Sequence, residues 1–212
     1  FSNRFVYDGA EIVESFSSPI PTARKVSQIC RLKFTDLISG ATIYQYYSVF
    51  ADSDVLAVHS ELVNTTGGEI TVNRLSSLQM DFIGVKAEVV TFDGAWEKER
   101  YRHETTLTAG RFEIDSKLGL SSPVHNPFMM VKVNDEIVGV NLIWSGNHKE
   151  IVEVSPYKRI RLLTGLNDFS LNIKLKPNEN FVSPQAIVLI EKDEDTITRE
   201  LHKFSLNHII NP

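Results

Sequence analysis

The chain has 212 residues, 22 basic against 27 acidic, and a net charge of −5. That length suits one large all-β domain with a core big enough to need no staple. The interspersed charges leave no Lys/Arg stripe to follow a phosphate backbone, which argues against nucleic acid. No apolar run approaches the ~18 residues that would span a bilayer, so no membrane partner is expected either.

The single cysteine, Cys30, excludes an internal disulfide and points to a reducing, cytoplasmic setting. The first residues, Phe1 to Phe5, contain neither an initiator Met nor a signal-like pattern, and the chain reads as a piece of something longer. Residues 1–12 are short and mixed. The run Ser17, Ser18, Pro19, Ile20, Pro21 breaks the chain, since two prolines so close exclude helix and central strand. In 26–34, Val26, Cys30, Leu32 and Phe34 alternate with Arg31 and Lys33, the period of a half-buried strand. A turn from Asp36 to Gly40 leads into 42–50, rich in Tyr and β-branched residues, as its partner strand. After a turn at Ala51 to Asp54, 55–63 is the next strand, ending in Asn64 to Gly68. Strands at 69–73 and 78–83 follow, with a bend over 74–77. Strand and turn recurring at this interval indicate antiparallel sheets, not βαβ units.

The strand 85–92 ends at Asp93 and Gly94, and Trp96 to Tyr101 then packs two acids and two bases between two aromatics. A Trp just past a strand end sits at a loop rim, where its face can meet a ligand while its N–H stays free to donate. The competing reading is that Trp96 plugs the open end of a sheet, as most aromatics do. From Arg100 to Leu107 the chain reads as loop, followed by a turn into 111–114. His103 and His125 lie 22 residues apart with no third ligand at metal spacing, so neither a metal site nor a cofactor is expected. Ser121 and Ser122 precede His125, but no G-x-S-x-G elbow surrounds them, and a nucleophile is not expected.

Strands follow at 128–133, 138–144, 150–154, 159–164, 171–175 and 186–190, separated by turns at Ser145 to His148, Gly165 to Phe169 and Lys176 to Asn180. Pro184 places the start of the last strand at an edge or bulge. Over 195–210, Ile197, Leu201, Phe204 and Ile209 fall at helical spacing, with Asp195 or Thr196 as N-cap, and this helix is expected to lead out of the sandwich.

Five groups of residues carry a resemblance: Gly94, Ala95 and Trp96 with Glu99 and Arg100; Ser121 and Ser122 with His125, Asn126, Pro127 and Phe128; Ser145, Gly146 and Asn147; Gly165, Leu166 and Asn167 with Phe169; and Phe181 with Ser183, Pro184 and Ala186. In this order and spacing the chain, from about residue 24 to 208, resembles the N-terminal β-domain of glycoside hydrolase family 36 α-galactosidases. It departs from the family pattern at Lys98, where an Arg is common, at Pro123 and Val124, in place of His-Gln, and at His148, in place of an aromatic.

The resemblance implies an all-β, galactose-mutarotase-like antiparallel β-supersandwich over residues 1–194. The short C-terminal helix of 195–212 is then a linker toward a (β/α)₈ catalytic barrel absent from this sequence. In the family that barrel carries two aspartates, acid and nucleophile, for retaining hydrolysis of terminal α-galactosyl residues. Neither the Lys-Trp-Asp segment nor the Gly-rich, Asp-ending segment that carries them is present, so no catalytic residue is expected in this chain. Trp96 is implied as a substrate-binding residue reaching over the galactose pocket. The implied partners are α-galactoside oligosaccharides of the melibiose and raffinose type, the protein's own barrel, and further copies in a tetramer. Glu99 and Arg100 are expected to form a supporting ion pair, and Asn126, Ser145 and Asn147 to fix turns. Three other functions compete: a carbohydrate-binding module using Trp96 or Trp144, an oligomer scaffold, and an epimerising sandwich with His103 and a Glu as acid and base. For the last, the sequence offers no evident carboxylate partner.

Overall fold

Alternating and continuous runs of β-branched and aromatic residues fold into antiparallel sheets in the computed structural model, which describes residues 4–95, 98–121 and 124–210. In chain order the strands are β1 Phe5–Val13, β2 Gln28–Asp36, β3 Thr42–Phe50, β4 Ser53–Val63, β5 Ile70–Val72, β6 Ser76–Ile83, β7 Ala87–Ala95 and β8 Lys98–Leu107. They continue as β9 Gly110–Asp115, β10 His125–Val133, β11 Glu136–Ile143, β12 His148–Ser155, β13 Arg159–Leu166, β14 Ile173–Leu175, β15 Asn180–Val182 and β16 Gln185–Glu191. The helix α1, Glu194–Phe204, closes the chain with a π-helical turn at Ser205–Ile209.

A ten-stranded sheet runs in the order β1-β2-β3-β4-β16-β11-β10-β7-β8, with β15 also paired to β4, and a four-stranded sheet runs β6-β13-β12-β9. Their facing sides share one apolar core, in which Val58, Met129, Val131, Val140 and Val188 of the large sheet meet Leu78, Ile114, Val152, Ile160 and Leu162 of the small one. This is the all-β sandwich expected from the sequence. The opposite face of the large sheet is also covered at its centre. Val90, Met130, Ile187 and Leu189, the alternate residues of the same strands, pack against Ile197, Leu201 and Phe204 of α1. Burial on both faces accounts for the unbroken apolar runs of β10, β11 and β16.

The helix sits close because β11 carries Gly139 beneath it: a Cβ built there would lie 2.5 Å from Ile197 Cγ2. Asp193, in extended conformation, is the N-cap, accepting from Thr196 N at 2.8 Å. That corrects the expectation of Asp195 or Thr196, which occupy the first turn, where an acid at Asp195 complements the positive helix end.

Several other boundaries differ from expectation. Residues 1–12, read as mixed, supply β1, whose pairing with β2 is reinforced by Glu11–Arg31 and Asp8–Lys33 ion pairs at 2.6 Å each. Arg100 to Leu107, read as loop, belong to β8, paired along β7 from Leu107 opposite Ala87 to Tyr101 opposite Asp93. Asp93 and Gly94, expected to be a turn, are inside β7. Gly165 is likewise inside β13, where a Cβ would meet the backbone of Ser76 and Ser77 at 2.9 Å, so only glycine lets β6 approach that closely. Finally, β16 is not an edge strand: β4 and β11 flank it. Pro184 falls in the break between β15 and β16, where Ser183 N donates to Ser60 O and Ser183 Oγ accepts from Ser60 N.

Candidate functional site

The β7–β8 hairpin is built on a one-residue shift in register between Asp93 and Ala95. Arg100 is the extra residue of β8 and takes φ 60°, the left-handed conformation of a bulge. Such a kink re-aims the end of a hairpin. Ala95 pairs with Lys98, leaving residues 96–97 between the strands. Trp96, the residue singled out for substrate binding, lies outside the described residues, and so does the Glu99 side chain on which the expected ion pair with Arg100 rests. Arg100 holds its guanidinium 5.9 Å from the centre of the Phe92 ring, on the edge of an aromatic pair. Phe92 stacks on Phe128 with centroids 5.6 Å apart and planes 16° from parallel.

This pair forms the floor of a cleft of about 400 Å³ between the hairpin base, β10, β11 and α1. Its polar rim is Arg100, Asn126, Asn141, Thr198, His202 and Ser205. An apolar floor with a few convergent polar groups is the usual composition of a small-molecule site. No carboxylate is among the described residues that line it. The hairpin is tied to the start of the helix by Arg102, which pairs with Glu194 at 2.9 Å and also with Glu104.

On the other face of the hairpin, His103 Nε2 lies 2.8 Å from Asp93 Oδ1. The carboxylate partner of His103 is not evident from the sequence because the two residues are ten apart and meet only across the hairpin register. The partner is an Asp and the pair is largely solvent-exposed. His125 stands directly opposite Asp93, and burial pushes its imidazole below the usual histidine value. Among the described residues no group of His, Cys, Asp or Glu is arranged to hold a metal ion.

Residues of the first four groups quoted above meet behind this hairpin in a knot of loops, whereas Ser183 of the fifth bonds Ser60 of β4. Gly94 N donates to Val124 O, Ser121 N to Ser145 O, and Asn167 N to Asn147 O. Asn147 does not close its own turn but accepts from Gly119 N at 2.6 Å, and Asn126 lines the cleft. Asn167, fully covered, donates to the Ser116 and His148 carbonyls and accepts from Phe169 N. Trp144, weighed as a sugar platform, packs against the inner core.

At the centre of the knot are His148 and Glu150, each with no solvent exposure of its side chain. His148 Nδ1 lies 2.8 Å from Glu150 Oε2, and Thr164 Oγ1 donates to the other carboxylate oxygen. His148 Nε2 faces the Ser121 and His125 carbonyls at 3.0 and 3.1 Å. Carbonyls only accept, so Nε2 carries a proton and a second proton is held between Nδ1 and the carboxylate. Burial pushes the His148 imidazole down, but the Glu150 bond and charge and the two carbonyls outweigh it and hold it above its ordinary value. Burial likewise pushes Glu150 up, and its bonds to His148 and Thr164 bring it only part of the way back. Glu150 was not singled out from the sequence. The available signal was a His and a Glu at positions 148 and 150 of a run whose next alternate residues, Val152 and Val154, are core.

Residues 1–176 match the model of the glycosyl hydrolase family 36 N-terminal domain. A probable alpha-galactosidase C of Aspergillus terreus is 31% identical over 182 residues, covering 82% of this chain and 24% of its own length. An alpha-galactosidase of Lactobacillus acidophilus is 34% identical over 161 residues, covering 73% of this chain and 22% of its own. The crystal structure of an alpha-galactosidase from Lactobacillus brevis superposes with a TM-score of 0.92 at 27% identity, over 98% of this chain and 30% of that one. The chain thus spans about a quarter of the length of these curated relatives.

Proposed function

Because the chain belongs to the glycosyl hydrolase family 36 N-terminal domain family, we propose that it is the amino-terminal platform of an α-galactosidase that removes terminal α-galactosyl residues from oligosaccharides of the melibiose and raffinose type. The observation that carries this reading is the superposition of nearly the whole chain on under a third of the Lactobacillus brevis enzyme. Retaining hydrolysis needs two carboxylates about 5 Å apart across the scissile bond. Because this chain covers 30% of the Lactobacillus brevis enzyme, we assign the reaction to a barrel domain outside these residues. Residues 1–194 are then the β-domain, and 195–212, whose helix is docked on the large sheet through Ile197, Leu201 and Phe204, lead on toward the barrel.

The part of this segment is to shape the mouth of the active site. Trp96, carried by the β7–β8 hairpin, covers the apolar C–H face of the galactose, meets a hydroxyl with its N–H, and keeps water from the developing oxocarbenium ion. The bulge at Arg100 and the Phe92–Phe128 stack form the base of the hairpin. The protein works in the cytoplasm, in keeping with its one free cysteine, Cys30.

The test compares the full-length protein with the 212-residue chain on a nitrophenyl α-galactoside. Turnover by the first and none by the second is expected. Turnover by the isolated chain sinks the division of labour, and an inert full-length protein sinks the activity. A second reading, a scaffold for a tetramer, is favoured by Leu118, Leu120 and Phe169, exposed at 65%, 60% and 58% on the loops beside the hairpin. Altered assembly with normal activity per site in a Trp96→Ala protein supports the scaffold.

A further inference from the structure

We propose that the buried His148–Glu150 pair is a positioning device for the β7–β8 hairpin: through the Ser121 and His125 carbonyls it fixes the segment against which the hairpin base is seated. The inference builds on the reading of that hairpin as the lip of a sugar site. A polar pair with no solvent exposure inside an apolar sandwich is costly, and replacing it with hydrophobic residues is often neutral or stabilising. Here the pair has a specific task. One ring nitrogen holds the backbone carbonyls of Ser121 and His125, four residues apart, at 3.0 and 3.1 Å. Val124 and His125 meet the hairpin: Val124 O accepts from Gly94 N at 3.3 Å, and His125 lies opposite Asp93. Asp93 and Gly94 immediately precede Ala95, the last residue of β7.

Glu150 and Thr164 complete the device from beneath. A neutral imidazole has one N–H. Without a second proton held between Nδ1 and the carboxylate, a ring that kept Nε2–H for the carbonyls would turn a lone pair toward Glu150. The carboxylate therefore orients the ring, Thr164 orients the carboxylate, and the ring orients the segment. None of the hydrogen bonds of His148 reaches a described residue of the cleft rim, so it acts through the segment and is not a catalytic residue.

Two kinds of substitution in the full-length protein separate this role from mere packing. His148→Gln with Glu150→Gln keeps an N–H donor near the position of Nε2. His148→Phe with Glu150→Leu fills the volume but removes the donor, and His148→Asn keeps a donor to Glu150 while withdrawing the one to the carbonyls. Hydrogen exchange read by mass spectrometry is expected to quicken at least tenfold over residues 92–95 and 98–101 in the Phe/Leu and Asn proteins, with β11 and β16 unchanged. The Gln/Gln protein should stay within threefold of the parent. In the same proteins kcat/KM for a nitrophenyl α-galactoside should fall tenfold or more only where the donor is lost, with no further fall in a Trp96→Ala background. Unchanged exchange in the donor-less proteins, or a loss of kcat/KM that adds to that of Trp96→Ala, overturns the positioning role. A parent protein inert to α-galactosides, with the exchange pattern as expected, refutes the activity and leaves the positioning intact.

Discussion

Gly139 is where the helix is fitted to the sheet, and replacing it by alanine is the sharpest test of that packing. The added methyl would lie 2.5 Å from Ile197 Cγ2 and 3.5 Å from Ile197 Cδ1, against an optimum of about 3.5 to 4.0 Å for carbon contacts. Ile197 is fully buried and cannot swing aside, and Arg102–Glu194 at one end of α1 and the Phe50–Phe204 contact at the other resist lifting the helix. Gly139→Ala should therefore cost about 1 to 3 kcal/mol, the range for overpacked cores. Ile197→Ala should cost about 2 to 5 kcal/mol by opening a cavity. Combined, the alanine methyl at 139 occupies space vacated by the isoleucine, and the double variant should be more stable than the sum of the single losses by about 1 to 2 kcal/mol. Urea unfolding of the 212-residue chain, followed by far-UV circular dichroism, measures all three. Additivity within about 0.5 kcal/mol, or a neutral Gly139→Ala, would refute the account of how α1 is seated.

Two further outcomes follow from buried polar groups. Burial pushes His59 down to about 4. Its folded form is thus neutral, and stability that is complete above the unfolded value of about 6.5 drains as the pH falls toward 4. The loss approaches about 3 kcal/mol at the lower limit, and urea midpoints at pH 7 and 4.5 should converge when His59→Leu removes the group. Glu150, in contrast, is held in a pair, and His148→Phe alone strands its carboxylate with only Thr164 for a partner. That single change should cost about 3 to 5 kcal/mol, most of which the added Glu150→Leu restores; a double variant no more stable than the single would contradict the pairing.

The strand and turn periodicity was legible wherever one element decided its own conformation. The span 42–50 coincides with β3 because its Tyr and β-branched residues favour a strand on either face. What could not be read were elements that exist through their neighbours. Strand β1 is mostly exposed and carries Asp8 and Gly9, and it is a strand because β2 supplies hydrogen bonds and opposite charges. Strand β8 is crowded with charged residues and has no apolar alternation; it is held as the outer strand of the large sheet by β7. The cap at Asp193 lies two or three residues before the expected Asp195 or Thr196, because Asp193, Asp195 and Thr196 are all N-cap types within four positions. Within the site, the loop motifs were visible as turn residues, but their convergence on His148 depends on contacts between segments more than twenty residues apart.

The account turns on the residue between the two hairpin strands, and the most direct measurement is kcat/KM of the full-length Trp96→Ala protein on a nitrophenyl α-galactoside. A fall of tenfold or more, about 1.4 kcal/mol of lost transition-state stabilisation, with thermal stability and assembly unchanged, is the predicted result. An activity equal to that of the parent protein would contradict the proposal that this domain covers the sugar.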